Sequence, residues 1–111
     1  MEIKKRKEKS AIVVSVKGRL DAVSSPDFEK ELAALIAEGE KFLVVDFAEL
    51  DYISSAGLRS ILATTKKLKE KEGKLFLSAL KDVVKEVFDI SGFSSIIPIY
   101  ESVESALAKT Q

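Results

Sequence analysis

The chain has 111 residues, of which 46% are hydrophobic and 32% charged, a balance typical of a globular domain. Its 18 basic residues are matched by 18 acidic ones, and a net charge of zero argues against general nucleic-acid binding. The chain contains no histidine and no cysteine. That absence excludes a Ser-His-Asp triad, thiolate catalysis, disulfides and metal sites built on these residues.

No apolar run approaches the roughly 20 residues that span a bilayer, and the start lacks the apolar segment of a signal peptide. No linker or low-complexity stretch divides the sequence. We therefore expect one domain over residues 1–111, located in the cytoplasm, with neither a membrane nor a nucleic-acid partner.

Five short apolar or β-branched runs predict strands. The first is the weakest and is expected to pair with the second, which stops at Gly18. The third is apolar throughout, which is typical of a central strand covered on both faces. Pro98 cannot donate a ladder hydrogen bond, so the fifth strand is predicted to be short or at an edge. The predicted strands cover residues 3–9, 11–18, 42–47, 74–78 and 96–100.

Between these runs, apolar residues recur at the spacing of a helix. The first predicted helix has Ser25 as its N-cap and Pro26 at its first position, and the second stops at Gly73. The third ends near Ser91–Gly92, and the fourth is capped by Ser102. The four apolar stripes are Phe28, Leu32, Leu35 and Ile36; Leu58, Ile61, Leu62, Thr65 and Leu68; Val83, Val84, Val87 and Phe88; and Val103, Ala106 and Leu107.

The resulting order, β-β-α-β-α-β-α-β-α, predicts an α/β fold with a mostly parallel, mixed β-sheet. Ligands and partners of such sheets bind at the carboxyl ends of the strands. The loops at that edge are predicted at 18–25, 48–56, 78–81 and 100–102. The second loop leads into "LDYISSAGLRSIL", residues 50–62, where Ser54 and Ser55 lie side by side at a predicted helix start.

The two serines allow three interpretations. A serine at this position is a preferred helix cap, because its hydroxyl accepts a backbone N–H that the first turn leaves free. A catalytic serine needs a base, and no histidine is present to supply one. A phosphorylated serine would meet free N–H groups at the positive end of the helix dipole, and it would add about −1.5 to −2 charge to a docking surface.

Other chemistry finds little support in the sequence. Asp21, Asp46 and Asp51 could gather near the serines, but without a further cluster they do not predict a metal site. Gly57 is the one glycine of the turn, and no Gly-Lys-Ser/Thr follows it, so a phosphate-binding loop is absent. We therefore expect no catalytic, cofactor-binding or metal-binding residue, and a protein that is not an enzyme.

Three stretches resemble the STAS domain of bacterial anti-sigma factor antagonists. "VKGRLDAVSSPDFEKEL", residues 16–32, is similar to the second strand, a Gly-x-Leu-Asp turn and the first helix of that family. "FLVVDFAELDYISSAGLRSIL", residues 42–62, is similar to its central strand and phosphorylation loop. "GKLFLSALKDVVKEVFDISGFSSIIPIYESVESAL", residues 73–107, is similar to the remainder.

The resemblance implies a regulatory switch. Unphosphorylated members bind an anti-sigma factor and so free a sigma factor for transcription. The anti-sigma factor is often a serine kinase of the GHKL type that phosphorylates and releases the antagonist, and a PP2C-type phosphatase restores it. The resemblance also implies a monomer.

In the family the phosphoacceptor lies two residues before the Gly-Leu of the loop, which here is Ser55. Many relatives have Asp before the acceptor and Ser or Thr after it. Here Ser54 and Ala56 occupy those places, so Ser54 is a rival acceptor. The implied partner surface comprises Asp21, Ser54, Ser55, Ala56, Gly57 and Arg59.

Individual residues carry further expectations. Gly57 is expected either to let a partner backbone approach closely or simply to allow close packing. Leu58 is expected to face the core and Arg59 the solvent, while Phe93 is expected to be a packing anchor. Two other functions stay open: a STAS module with another partner, such as a transporter-associated or stress-complex subunit, and a domain that senses a nucleotide or small molecule.

Overall fold

The computed structural model describes residues 1–110, in which strands and helices alternate after an initial hairpin. This alternation confirms the predicted α/β order, with one short 3₁₀ turn added at Phe93–Ser95. Within residues 1–110, every helix is too short or too polar to span a lipid bilayer. The elements are β1 (Glu2–Glu8), β2 (Ala11–Leu20), α1 (Ser25–Ala37), β3 (Phe42–Ile53), α2 (Ser55–Glu70), β4 (Lys74–Ser78), α3 (Asp82–Ser91), β5 (Ile99–Tyr100) and α4 (Val103–Ala108).

The five strands form one sheet in the order β1-β2-β3-β4-β5. The β1 strand runs antiparallel to β2, and each later pair is parallel. The β2–β3 ladder runs from Ala11 opposite Phe42 to Leu20 opposite Ile53. The last residues of these two strands therefore lie side by side, and the chain leaves both of them toward a helix at the same edge.

The two faces of the sheet are covered unequally. The larger face packs against α1, α2 and α3 and contains the fully buried rings of Phe28, Phe47 and Phe88. Burying a side chain of this size stabilises the fold by about 1.5–3 kcal/mol. The smaller face is covered by α4, where Val103 and Ala106 contact apolar residues of β2, β3 and β4.

Three strands differ from the prediction by more than one residue. The β3 strand continues to Ile53 instead of ending at 47, so most of the predicted loop 48–56 is strand. The β2 strand continues through Gly18, which adopts a positive φ of 104°, to Leu20. The β5 strand is reduced to Ile99–Tyr100, because the 3₁₀ turn precedes it and Pro98 has no N–H to donate. Its position at the edge of the sheet is as predicted.

The helix boundaries also differ in detail. Ser25 is the first residue of α1, not its N-cap, because the Ser24 carbonyl already accepts the Phe28 N–H at 3.1 Å. The α2 helix ends before Gly73, and Glu72 takes the left-handed conformation there with a φ of 61°. Val83, predicted to belong to the apolar stripe of α3, is 55% exposed. Ser102 caps α4 as predicted, and its Oγ accepts the Ser105 N–H at 3.0 Å.

Candidate functional site

The ends of β2 and β3 hold together the two segments that carry the predicted site. The Ser54 N–H donates to the Leu20 carbonyl at 2.9 Å. Leu20 immediately precedes Asp21, and Ser54 immediately precedes Ser55. The structure therefore brings the Asp21 turn and the start of α2 to one edge of the sheet.

Ser54 is the N-cap of α2. Its backbone is extended, with φ −98° and ψ 175°, and its Oγ accepts the Gly57 N–H at 3.3 Å. Its carbonyl accepts the Leu58 N–H at 3.0 Å, and the residue is half-buried. The hydroxyl oxygen of Ser54 is thus used by the fold.

Ser55 occupies a different environment, although it is the next residue. It is the first residue of α2 and is exposed, and its side chain makes no hydrogen bond within residues 1–110. Since Gly57 and Leu58 donate to Ser54, the N–H groups of Ser55 and Ala56 remain free at the helix start. The first turn carries no acidic residue. A free hydroxyl therefore lies beside free N–H groups at the positive end of the helix dipole.

Gly57 and its neighbours define the shape of this turn. Gly57 is buried, and a Cβ built on it would lie 2.7 Å from Ile53 Cγ1 and 2.9 Å from the Leu20 carbonyl oxygen. The glycine therefore lets α2 pack closely on the ends of its own strands, the second of the two uses expected for it. Leu58 is half-buried against the main core, as predicted, and Arg59 is exposed.

Asp21 organises the turn between β2 and α1. One of its carboxylate oxygens accepts the N–H groups of Val23 and Ser24 and the hydroxyl of Ser24, at 3.0 to 3.2 Å. The backbone N–H of Ser24 is the largest cause that lowers the pKa of Asp21, and desolvation opposes it in part. The Arg19 guanidinium, 3.8 Å away, also favours the charged form.

The sequence analysis did not identify two residues at this edge. Arg19 and Tyr52 are paired across β2 and β3, and the Arg19 guanidinium lies 4.2 Å from the centre of the Tyr52 ring. Both positions lie beyond the predicted strand ends, so their pairing was not foreseen. Extending the strand assignment by the alternation of polar and apolar residues would have found them. Val23, also at this edge, is 87% exposed.

Of the three aspartates that could gather near the serines, Asp21 lies in the turn that the Ser54–Leu20 hydrogen bond joins to them. Asp46 is half-buried within β3, where it accepts the Ser15 hydroxyl at 3.2 Å and the Ala48 N–H at 3.0 Å. Asp51 is exposed farther along the same strand. Within residues 1–110, no cluster of acidic residues is suited to hold a metal ion. Phe93, by contrast, packs against the core as predicted, with its ring 6.4 Å from that of Phe88.

Comparison with known proteins identifies the family. The family model of the STAS domain matches residues 2–106. The chain belongs to the STAS domain family. A relative of this STAS protein, named as the anti-sigma factor antagonist BtrV of Bordetella bronchiseptica, is 44% identical over 97 residues, which cover 87% of this chain and 84% of BtrV.

Solved structures show the same fold. An anti-sigma factor antagonist from Mycobacterium paratuberculosis is 26% identical, with a TM-score of 0.89 over 97% of this STAS chain and 92% of that chain. The Bacillus cell fate determinant SpoIIAA in its phosphorylated form is 18% identical, with a TM-score of 0.77 over 99% of this chain and 100% of that one. At that identity, SpoIIAA supports the fold alone.

Proposed function

We propose that this STAS protein is an anti-sigma factor antagonist. Its unphosphorylated form binds an anti-sigma factor that is also a serine kinase of the GHKL type, and this binding frees a sigma factor. Phosphorylation of Ser55 dissociates the complex. A phosphatase of the PP2C type removes the phosphate and restores the form that binds. The 44% identity to a relative named as an anti-sigma factor antagonist supports the general role. The exposed, unbonded hydroxyl of Ser55 is the observation that supports the switch.

Ser55 is a better acceptor than Ser54 for a physical reason. A kinase must reach the hydroxyl and use its oxygen as a nucleophile. The Ser54 oxygen already accepts the Gly57 N–H and the residue is half-buried, so phosphorylation would replace the hydroxyl that caps α2. The Ser55 hydroxyl is exposed and makes no such bond, so it can be modified without loss of any hydrogen bond of the fold.

The switch follows from the charge of the phosphate. It would add about −1.5 to −2 charge beside the free N–H groups of Ser55 and Ala56, where the domain can hold it without refolding. In a docked complex the same charge would be taken out of water against a partner surface that supplies no matching cation. Penalties for unpaired charges at interfaces are on the order of several kcal/mol, which is enough to dissociate a complex of moderate affinity.

The surface around Ser55 supplies the contacts of the proposed complex. Asp21, Ala56 and Arg59 border Ser55 on the two segments that the Ser54–Leu20 hydrogen bond joins. We add Arg19 and Val23 to this surface, because both are exposed at the same edge. Gly57 contributes indirectly, by seating α2 against β2 and β3.

Mass spectrometry of the protein incubated with its candidate kinase and ATP tests the acceptor. We expect one phosphate, on Ser55, and none in the Ser55→Ala variant. A phosphate on Ser54 would keep the function and move the acceptor by one residue. Binding without any phosphate would leave a STAS module that works by docking alone.

Binding measurements test the consequence of the charge. We expect Ser55→Asp to weaken binding to the anti-sigma factor and Ser55→Ala to bind constitutively. Ser94→Asp is the matched control, because Ser94 is exposed and lies in the 3₁₀ turn, outside the proposed surface. If Ser55→Asp and Ser55→Ala both bind like the wild type, the switch does not lie at Ser55.

A further inference from the structure

A groove of about 570 Å³ runs between α1 and α2, beginning beside the proposed switch. Ala22 and Ala56 line its near end, next to Asp21 and Ser55, and Ala33 and Lys67 line its far end. The stretch of α2 from Ala56 to Lys67 corresponds to about 16 Å of helix. Alanines on both helices leave the groove shallow and open, so another backbone can approach closely along its length.

The charges along this groove are unbalanced. Three cationic side chains, Lys30, Arg59 and Lys67, line it with a single carboxylate, Glu29. None of these four side chains forms an ion pair within residues 1–110. The whole chain has a net charge of zero, so this excess of cations belongs to the groove and not to the chain as a whole.

The groove also contains an unused buried hydroxyl. Ser25, at the start of α1, lines the groove and is 2% exposed. Its Oγ is the one buried side-chain polar atom of residues 1–110 that lacks a hydrogen-bond partner. A buried hydroxyl without a partner costs about 1–3 kcal/mol, and a polar group that reached it from the groove would relieve that cost.

We propose that this groove receives an acidic segment of the anti-sigma factor, laid lengthwise between α1 and α2, an inference that rests on the proposed function. Charge complementarity favours this occupant. Arg59 and Lys67 are about 12 Å apart along the helix axis, which suits carboxylates spaced along a peptide rather than a single compact anion. The Ser25 hydroxyl donates to a carbonyl or carboxylate oxygen of that segment.

This arrangement gives the phosphate on Ser55 a second means of ending the complex. Ser55 and Arg59 are four residues apart on α2, a spacing at which opposite charges on one helix face attract each other. The phosphate therefore competes with the acidic segment for Arg59 and repels that segment at the mouth of the groove.

Charge reversal at two adjacent lysines of α2 tests the proposal. Lys67 lines the groove, whereas Lys66 is exposed outside it, and Lys→Glu changes the net charge equally at both. We expect Lys67→Glu to raise the Kd for the anti-sigma factor about tenfold or more, and Lys66→Glu to change it less than about twofold. The affinity of Lys67→Glu is also expected to fall less with added salt than that of the wild type.

Ser25→Ala tests the hydroxyl independently of charge. We expect it to weaken binding several-fold while leaving the urea unfolding midpoint unchanged or raising it, because it removes a buried group without a partner. A variant that binds like the wild type would show that the Ser25 hydroxyl does not contact the partner. A large loss of stability would show that Ser25 serves the fold instead.

The outcomes separate the groove from the switch. Equal Kd values for Lys66→Glu, Lys67→Glu and wild type would overturn the groove proposal. The proposed function would still stand if Ser55→Asp weakens binding. If the wild type binds no anti-sigma factor, the proposed function fails and the groove proposal fails with it. Thermal stabilisation by ATP or inorganic phosphate that Lys67→Glu abolishes would assign the groove to a small anion. Self-association that Lys67→Glu abolishes would assign it to a second copy, and either result overturns the proposal.

Discussion

Ser54 and Ser55 are neighbours in the chain, but only Ser54 contributes its hydroxyl to the fold. The Ser54 oxygen accepts the Gly57 N–H, whereas the Ser55 side chain makes no bond within residues 1–110. We expect Ser54→Ala to lower the free energy of unfolding by about 1 kcal/mol, the usual cost of a lost N-cap. Ser55→Ala is expected to stay within about 0.5 kcal/mol of the wild type, as most surface substitutions do.

Urea unfolding of the two alanine variants, followed by circular dichroism, measures this difference. Both variants remove one hydroxyl, so each is the control for the other. Equal losses of stability would contradict the assignment of Ser54 as the cap and of Ser55 as the free hydroxyl.

The carboxylate of Asp21 makes the stability of the first turn depend on pH. Hydrogen bonds from Ser24 and Val23 place the pKa of Asp21 below its ordinary value. Because the pKa in the folded state is lower than the value of about 3.9 in an unfolded chain, the stabilisation is complete above that value. It is lost as the pH falls through the folded-state pKa. The Asp21→Asn variant removes this titration and keeps one oxygen as a hydrogen-bond acceptor.

Urea unfolding of the wild type and Asp21→Asn from about pH 3 to pH 7 tests this expectation. The difference between their free energies of unfolding should be constant above about pH 5 and shrink below about pH 4. Asp89→Asn is the control, because Asp89 is exposed and its side chain makes no hydrogen bond within residues 1–110. A difference that shrinks equally in both variants would contradict a specific role for Asp21.

At the scale of elements, the order of strands and helices could be predicted, but the length of β3 could not be predicted from a continuous apolar run. Up to Asp46, β3 pairs with β4 as well as β2, and both faces are covered. Beyond Asp46 its only strand partner within residues 1–110 is β2, and the buried Leu50 alternates with the exposed Glu49 and Asp51. Because it contains charged residues, this segment has a composition typical of a loop. Its alternation of charged and apolar residues is nevertheless typical of a strand that is covered on one face.

Gly57 determines how closely α2 can pack on the ends of β2 and β3. A methyl group there would lie within 3 Å of Ile53 Cγ1 and the Leu20 carbonyl oxygen. In an open helix, Gly→Ala stabilises by about 1 kcal/mol. At Gly57 we expect the opposite sign, a loss of about 1–3 kcal/mol, because the clash forces α2 away from the strands.

The free energy of unfolding of Gly57→Ala, measured in urea, tests this packing. Ala34→Gly, at an exposed position of α1, is the control that reports helix propensity without a clash. If Gly57→Ala proves more stable than the wild type, the close approach of α2 is not required.

At the scale of the whole molecule, the site follows from topology more than from any single motif. Parallel pairing of β2 with β3 predicted that the Asp21 turn and the serines would share an edge, and the Ser54–Leu20 hydrogen bond joins them. The groove between α1 and α2 could not be predicted in the same way. Its shape depends on how α1 and α2 lie against each other, whereas sequence periodicity describes the face of one helix at a time.

The position of Ser55 at the start of α2 predicts whether its phosphate changes the stability of the domain or only the binding of the partner. A negative charge at a helix N-terminus stabilises it by about 0.3–1 kcal/mol, and the first turn of α2 carries no acidic residue. We therefore expect phosphorylated protein, and Ser55→Asp, to be as stable as the unmodified protein or up to about 1 kcal/mol more stable. The loss of partner binding then arises at the docking surface alone.

Urea unfolding and amide hydrogen exchange of the isolated protein, with and without the phosphate, decide this point. We expect unchanged protection in β2, β3 and β4, with slower exchange confined to the first turn of α2. Ser94→Asp, which adds a charge away from that turn, should leave exchange in α2 unaltered. Loss of protection in the central strands after phosphorylation would mean that the phosphate acts by unfolding the domain, and the surface described around Ser55 would not be the switch.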